Sequence, residues 1–181
     1  MKKIIVLFSI LFVFQTAQAR EFGAVFGFNY TEAQSTTTNV SSDSEVGFQA
    51  GVQYYHPLKS LNDKLYFRTG GVITQRVSEF GIFEFDLLYL DIPATLEYRI
   101  NEMVGLFSGL QLGLLMADEC TPGCNVQDPN SFILGFPLGV SVMINPEMGF
   151  DFYYQIGLTD MWQNSEWSDT LGAQFIYKFD I

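Results

Sequence analysis

The residues with the most chemical potential are six charges set inside stretches that are otherwise apolar, aromatic or glycine-rich. They are Arg68, Asp91, Glu97, Arg99, Asp151 and Lys178. Charges in such company need partners, because an isolated buried ion costs several kcal/mol. They allow two readings: a polar path or ligand site, or a network of ion pairs and hydrogen bonds that fills a narrow interior. Two further sets are smaller. Cys120 and Cys124 are the only cysteines and flank the turn sequence Thr121-Pro122-Gly123. In an exported chain they predict a disulfide that shapes a loop tip, and two thiols without a nearby His make a poor metal set. His56 is the only histidine and stands before Pro57 in a predicted turn. A lipid-cutting enzyme would need a His beside Ser or Asp, so this placement predicts no catalytic centre; no cofactor and no metal are expected either.

Those six charges obey a period of two, the mark of a strand that presents two different faces. Phe22 to Thr31 sets Phe22, Ala24, Phe26, Phe28 and Tyr30 against Gly23, Val25, Gly27, Asn29 and Thr31. Seven more segments of similar length follow: Glu45–Tyr55, Lys64 to about Gln75, Leu88–Ile100, Val104–Met116, Phe132–Ile144, Gly149–Thr159 and Thr170–Ile181. In each, large apolar side chains share one face. Every charge and most glycines share the other. Ten residues is near the length of a tilted membrane strand, and a charge facing lipid near the midplane costs about 2–4 kcal/mol for Arg or Lys. A soluble barrel would put the large apolar groups inside and many Lys and Glu outside. An eight-stranded barrel is too narrow for all these Phe, Leu and Tyr, whereas Gly, Gln and a few long polar groups fit. The pattern therefore predicts an all-β, eight-stranded, antiparallel up-and-down transmembrane barrel with its apolar face outward.

The start of the chain reads as a leader. Lys2 and Lys3 precede the apolar run Ile4 to Phe14 and the small-residue pattern Ala17-Gln18-Ala19. That run is too short to span a membrane, so residues 1–19 are expected to be a cleaved signal peptide and 20–181 the barrel. After the leader the cations are Arg20, Lys59, Lys64, Arg68, Arg76, Arg99 and Lys178, against 20 acidic residues in the chain. That balance excludes nucleic acid as a partner. A hydropathic exported chain without a spanning helix can enter a membrane as a closed barrel, here the outer membrane of a Gram-negative cell, with outer-membrane lipid around it. The C-terminal Tyr177, Phe179 and Ile181 alternate as a terminal strand read by the barrel-insertion machinery would. A monomer is expected.

Connections alternate in length. Residues 31–44, 76–86, 117–131 and 160–169 are expected to be long loops, whereas His56–Asp63, Asn101–Met103 and Asn145–Met148 are shorter turns. Long loops face outward in such barrels and short turns face the periplasm. Tyr30, Trp162 and Trp167 then fall near outer strand ends, where aromatic side chains anchor at the membrane interface. Asp118, Glu119, Asp128, Asp160, Glu166 and Asp169 are loop acids whose spacing matches no calcium loop. Pro93 and Pro137 stand inside strands, where each must break a ladder bond.

Tyr89-Leu90-Asp91-Ile92-Pro93, followed by Leu96-Glu97-Tyr98-Arg99, resembles the central signature of the PorT-like outer-membrane β-barrel family. Phe67-Arg68-Thr69-Gly70 and Tyr154-Gln155-Ile156-Gly157-Leu158-Thr159-Asp160 resemble its early strand and penultimate strand. The resemblance implies an eight-stranded outer-membrane barrel. Many members have no assigned activity, and some relatives assist secretion. The expected function is thus an integral barrel with a largely filled polar lumen and extracellular loops in a structural or contact role. A narrow pore for small solutes, an outer-membrane lipid-modifying enzyme and a soluble barrel for an apolar ligand are the alternatives.

Overall fold

A computed structural model of the 181-residue chain describes residues 21–35, 43–59, 61–80, 83–121, 129–160 and 165–180. The expected leader, Arg20, Cys124 and Trp162 lie outside them, and of Cys120 and Trp167 only the backbone is described. The Cys120–Cys124 disulfide therefore falls outside the described residues.

The strands are β1 Glu21–Ser35, β2 Asp43–Ser44, β3 Val46–Pro57, β4 Leu65–Phe80, β5 Phe83–Arg99, β6 Val104–Thr121, β7 Phe132–Met143, β8 Met148–Gly157 and β9 Ser165–Asp180. All pairings are antiparallel. β1 lies between β3 and β9, sequence neighbours pair in turn, and a β4–β5 ladder closes the sheet on itself. The two-residue β2 continues the edge of β3 onto β4, so the architecture is a closed eight-stranded barrel.

The period of two in the sequence becomes inside and outside. On the outer face Phe26 is 54 % exposed, Leu138 59 % and Leu171 59 %, with Phe28, Phe48, Leu96, Leu106, Leu110 and Phe152 likewise exposed. Cross-strand partners pair their rings there, as in Phe28–Phe48 at 5.4 Å and Phe150–Phe175 at 5.5 Å. Among the described residues, buried polar and charged side chains outnumber buried apolar ones. That is the reverse of a water-soluble core.

Inward glycines make room for the few large inward side chains. A Cβ at Gly139 would stand 2.4 Å from Phe107 Cζ, and one at Gly172 would stand 2.1 Å from Tyr153 Cζ. Each glycine is the cross-strand partner of the aromatic residue above it.

Pro93 and Pro137 interrupt ladders, and neither shifts the register. The β4–β5 pairing passes from Thr69↔Ala94 to Val72↔Asp91, skipping Gly70–Gly71 against Ile92–Pro93. The β6–β7 pairing passes from Ser108↔Leu138 to Gln111↔Gly135, skipping the stretch opposite Pro137. Each proline lacks the N–H that its strand would donate on that side. True bulges occur elsewhere, with Met116 extra between Ala117↔Leu88 and Leu115↔Tyr89, and Trp167 extra between Ser168↔Ala33 and Glu166↔Gln34.

Several expected connections are corrected: the long stretches 31–44, 117–131 and 160–169 are shortened, because β1 runs to Ser35, β6 to Thr121 and β9 starts at Ser165. Residues 76–86 are not a long loop: β4 and β5 continue to Phe80 and Phe83 and pair throughout. Arg76 and Ser78 continue the inward parity of Arg68 and Thr74, but Val77 between them is buried as well, and the loss of clear alternation disguised the strand. His56 is not a turn residue either. It pairs with Phe67 at the end of β3, and its Nδ1 lies 3.2 Å from Tyr54 Oη. The tight turns hold as expected. Asn101 Oδ1 accepts from the N–H groups of Met103 and Val104, both at 2.8 Å, and Asn145 Oδ1 accepts from those of Glu147 and Met148 at 2.9 and 2.7 Å. An Asn side chain that caps its own turn in this way needs no long loop.

Candidate functional site

The site to which the inward charges converge is the barrel lumen. Arg68 on β4 is its centre. Its Nη2 donates to Gln53 Oε1 at 2.8 Å and to Asp151 on β8, across the barrel, while Nη1 lies 3.4 Å from Glu97 Oε2. Its guanidinium also lies over the rings of Phe107 at 4.2 Å and Tyr55 at 5.1 Å, so the buried cation meets aromatic faces as well as acids. Gln174 Nε2 adds a bond to Asp151 at 3.0 Å.

A second cluster lies at the short-turn end. Arg99 forms a two-pronged pair with Glu21, at 3.1 and 2.7 Å, and its Nε reaches Glu97 Oε1 at 3.1 Å. Such fork-to-carboxylate geometry is the stronger kind of ion pair. Lys178 Nζ lies 3.3 Å from Glu21 Oε2 and 4.5 Å from the Tyr55 ring centre. The Arg99 guanidinium lies on the Tyr66 ring at 3.6 Å. Together Arg68, Arg99 and Lys178 oppose Glu21, Glu97 and Asp151, three of each sign.

Toward the other end Arg76 Nη2 donates to Asp91 Oδ2 at 2.8 Å, with the guanidinium over Tyr89 at 5.0 Å. Beyond this pair Leu87, Tyr89 and Ile133 form an apolar plug, backed by Phe85 and Leu115. Tyr153 Oη donates to Gln49 Oε1 at 2.7 Å and ties β8 to β3. The space left at mid-barrel is a cavity of about 30 Å³, bordered by Arg68, Asp91, Pro93, Phe107 and Pro137. That is room for about one water.

All six lumen residues singled out in the sequence thus point inward, but in two groups. Arg68, Glu97, Asp151, Arg99 and Lys178 are linked, whereas Asp91 is bound apart by Arg76. Glu21 and Arg76 were missed. Glu21 is one step before the first clear alternation, and Arg76 fell in a stretch that reads as loop. Tyr30 lies on the outer face near the long-loop end, 47 % exposed. A second outer-face group was also missed: Tyr98 and Tyr177, each 43 % exposed, with Tyr54, whose ring lies 5.1 Å from Phe22. Its signal was the tyrosines at the short-turn ends of three apolar faces. Among the described residues no group of His, Cys, Asp and Glu could hold a metal ion.

No family model matches the chain, and no curated protein sequence matches it. Solved structures do resemble it. Ail, the attachment invasion locus protein of Yersinia pestis, shares 16 % identity over 90 % of this chain and 100 % of its own, with a TM-score of 0.57. Ail in complex with the heparin analogue sucrose octasulfate gives a TM-score of 0.55 at the same identity and coverage. Neisserial surface protein A shares 20 % identity over 87 % of this chain and 97 % of its own, with a TM-score of 0.58. At these identities the likeness is one of fold, and the fold of this chain is that of the small closed barrels of the outer membrane.

Proposed function

We propose that the protein is an integral barrel of a Gram-negative outer membrane, made with a cleaved leader of residues 1–19, whose lumen is sealed and whose work is structural or contact-making at the long-loop end. The observation that carries this reading is the set of bonds that cross the lumen, Arg68 to Asp151, Arg99 to Glu21 and Tyr153 to Gln49, which leave only about 30 Å³ open at mid-barrel. The outward apolar belt, flanked by Tyr30 at one end and Tyr54, Tyr98 and Tyr177 at the other, is the surface that lipid would cover. The stretch that resembles the PorT-like signature supplies Tyr89, Asp91, Glu97 and Arg99 to the lumen. Lipid is then the permanent partner, the barrel is monomeric, and β9, with Tyr177 and Phe179 outward, suits the insertion machinery.

Charge narrows the contact partner. After Arg20 the cations are Lys59 and Lys64 at the short-turn end and Arg68, Arg76, Arg99 and Lys178 inside. The long-loop end carries the exposed acids Glu32, Glu45, Asp118, Glu119 and Asp160. Ail was crystallised with a polyanion; this acidic end suits a neutral or cationic partner. An enzymatic role finds little support, because the one histidine packs on Tyr54 at the end of a strand. Recording from the purified protein in a planar bilayer tests the sealed lumen. A flat baseline is expected, and stable stepwise currents would favour the narrow-pore alternative.

A further inference from the structure

At the short-turn end the interior widens into a vestibule of about 520 Å³. Glu97 in its wall lies 3.4 Å from Arg68, which is not itself part of the lining. The size of the vestibule lies within the range of about 300–1,000 Å³ typical of small-molecule sites. The contact role proposed above lies at the opposite end and makes no use of it.

Its polar groups are sorted by depth. Lys178 is 6 % exposed and Ser141 is 2 % exposed, and both line the vestibule. Ser141 Oγ has no hydrogen-bond partner among the described residues. Lys178 has only a lesser share of Glu21. Arg99 takes both oxygens of that carboxylate, at 3.1 and 2.7 Å, and leaves the ammonium one ion-pair contact at 3.3 Å beside the Tyr55 ring at 4.5 Å. The deep wall therefore offers two donors with unused capacity. Arg99 itself is committed to Glu21, Glu97 and the Tyr66 ring. At the rim stand the exposed acids Asp63 and Glu102, while Lys64 Nζ is drawn off to the Ile100 carbonyl at 3.0 Å.

We propose that this vestibule binds a small zwitterion of amino-acid to dipeptide size. The ligand carboxylate goes inward to Lys178 and Ser141, and its ammonium stays outward by Asp63 and Glu102. Glu21 and Glu97 in the wall oppose a polyanion, and a simple cation finds both of those carboxylates already bound by arginine.

The test is a calorimetric titration of the full chain, folded in micelles, with alanylalanine, acetate and ethylamine as probes. The dipeptide is expected to saturate one site and to bind at least about tenfold more tightly than either singly charged probe, the difference expected from one charge-assisted bond. Ser141→Ala is expected to weaken binding about tenfold, and Ser141→Leu, which fills the deep wall, to abolish it. Neither removes a bond that the fold uses, so heat-modifiable migration stays unchanged and shows that the barrel is intact. Lys178→Met gives the same loss if it folds. Absence of saturable binding, equal binding of acetate and dipeptide, or indifference to Ser141→Leu would each overturn the proposal. Because the titration is read in micelles, it stands apart from the membrane location and from the conductance test.

Discussion

Arg68 carries a permanent charge in the middle of the wall, and the surrounding residues are arranged around that fact. Removing it would strand Asp151 in the lumen and leave Glu97 to Arg99 alone. Arg68→Met is therefore expected to lower stability by about 3–5 kcal/mol, the scale for orphaning a buried charge, read as a shift in the urea midpoint of barrels in lipid vesicles. Adding Asp151→Asn should recover part of the loss, since the acid that remains, Glu97, keeps its bond to Arg99. An unchanged midpoint in Arg68→Met would mean that water, and not Arg68, satisfies those acids. The sequence revealed that Arg68, Glu97, Arg99, Asp151 and Lys178 face one side, because parity along a strand is enough for that. It did not reveal who pairs with whom. Arg99 meets Glu21 from a strand 78 residues away, a distance set by barrel closure and strand stagger, which a period of two does not encode.

At the scale of the strand, glycine position decides how closely neighbours curl. A Cβ at Gly51 would come within 2.2 Å of the Gly71 carbonyl oxygen and 2.6 Å of Val72 Cα, both backbone. At Gly71, on the outer face, the nearest atom would be Leu90 Cδ1 at 3.6 Å. Gly51→Ala should cost about 1–3 kcal/mol through a forced shift of β3 against β4, and Gly71→Ala should be near neutral. Urea midpoints compare the two directly, and equal effects would refute the packing argument. The outer strand ends face a different problem. Asp86 stands opposite Glu119, and Glu32 opposite Asp169, with no exposed cation nearby among the described residues. Like charges directly opposed are destabilising. Glu119→Lys should slow amide hydrogen exchange in the outer β5–β6 ladder at low ionic strength, by a factor matching about 0.2–1 kcal/mol, and added salt should erase the gain. These extensions explain where strand ends were misread. The run from Arg76 to Asp86 continues the strands but loses the alternation of buried and exposed residues, since Arg76, Val77 and Ser78 are all buried.

The whole molecule is inverted relative to a soluble protein, with Phe, Leu and Tyr outside and ion pairs inside. That inversion was legible because the charges never cross to the apolar face within the belt, from Arg68 on β4 to Lys178 on β9. The layering along the lumen was not legible: a vestibule at one end, the Arg68 cluster, a cavity of about 30 Å³, then Arg76–Asp91 and the apolar plug of Leu87, Tyr89 and Ile133. Depth in the barrel depends on how far each strand is staggered against the next, and neighbouring inward residues in the sequence carry no mark of it. The central claim is an intact barrel embedded in lipid by its outer face. It is tested most directly by isolating the outer-membrane fraction, washing it with alkaline carbonate, and comparing unboiled and boiled samples by electrophoresis. The protein is expected to stay with the membrane and to migrate differently once boiled. Release by osmotic shock without detergent, with no change on boiling, would contradict it.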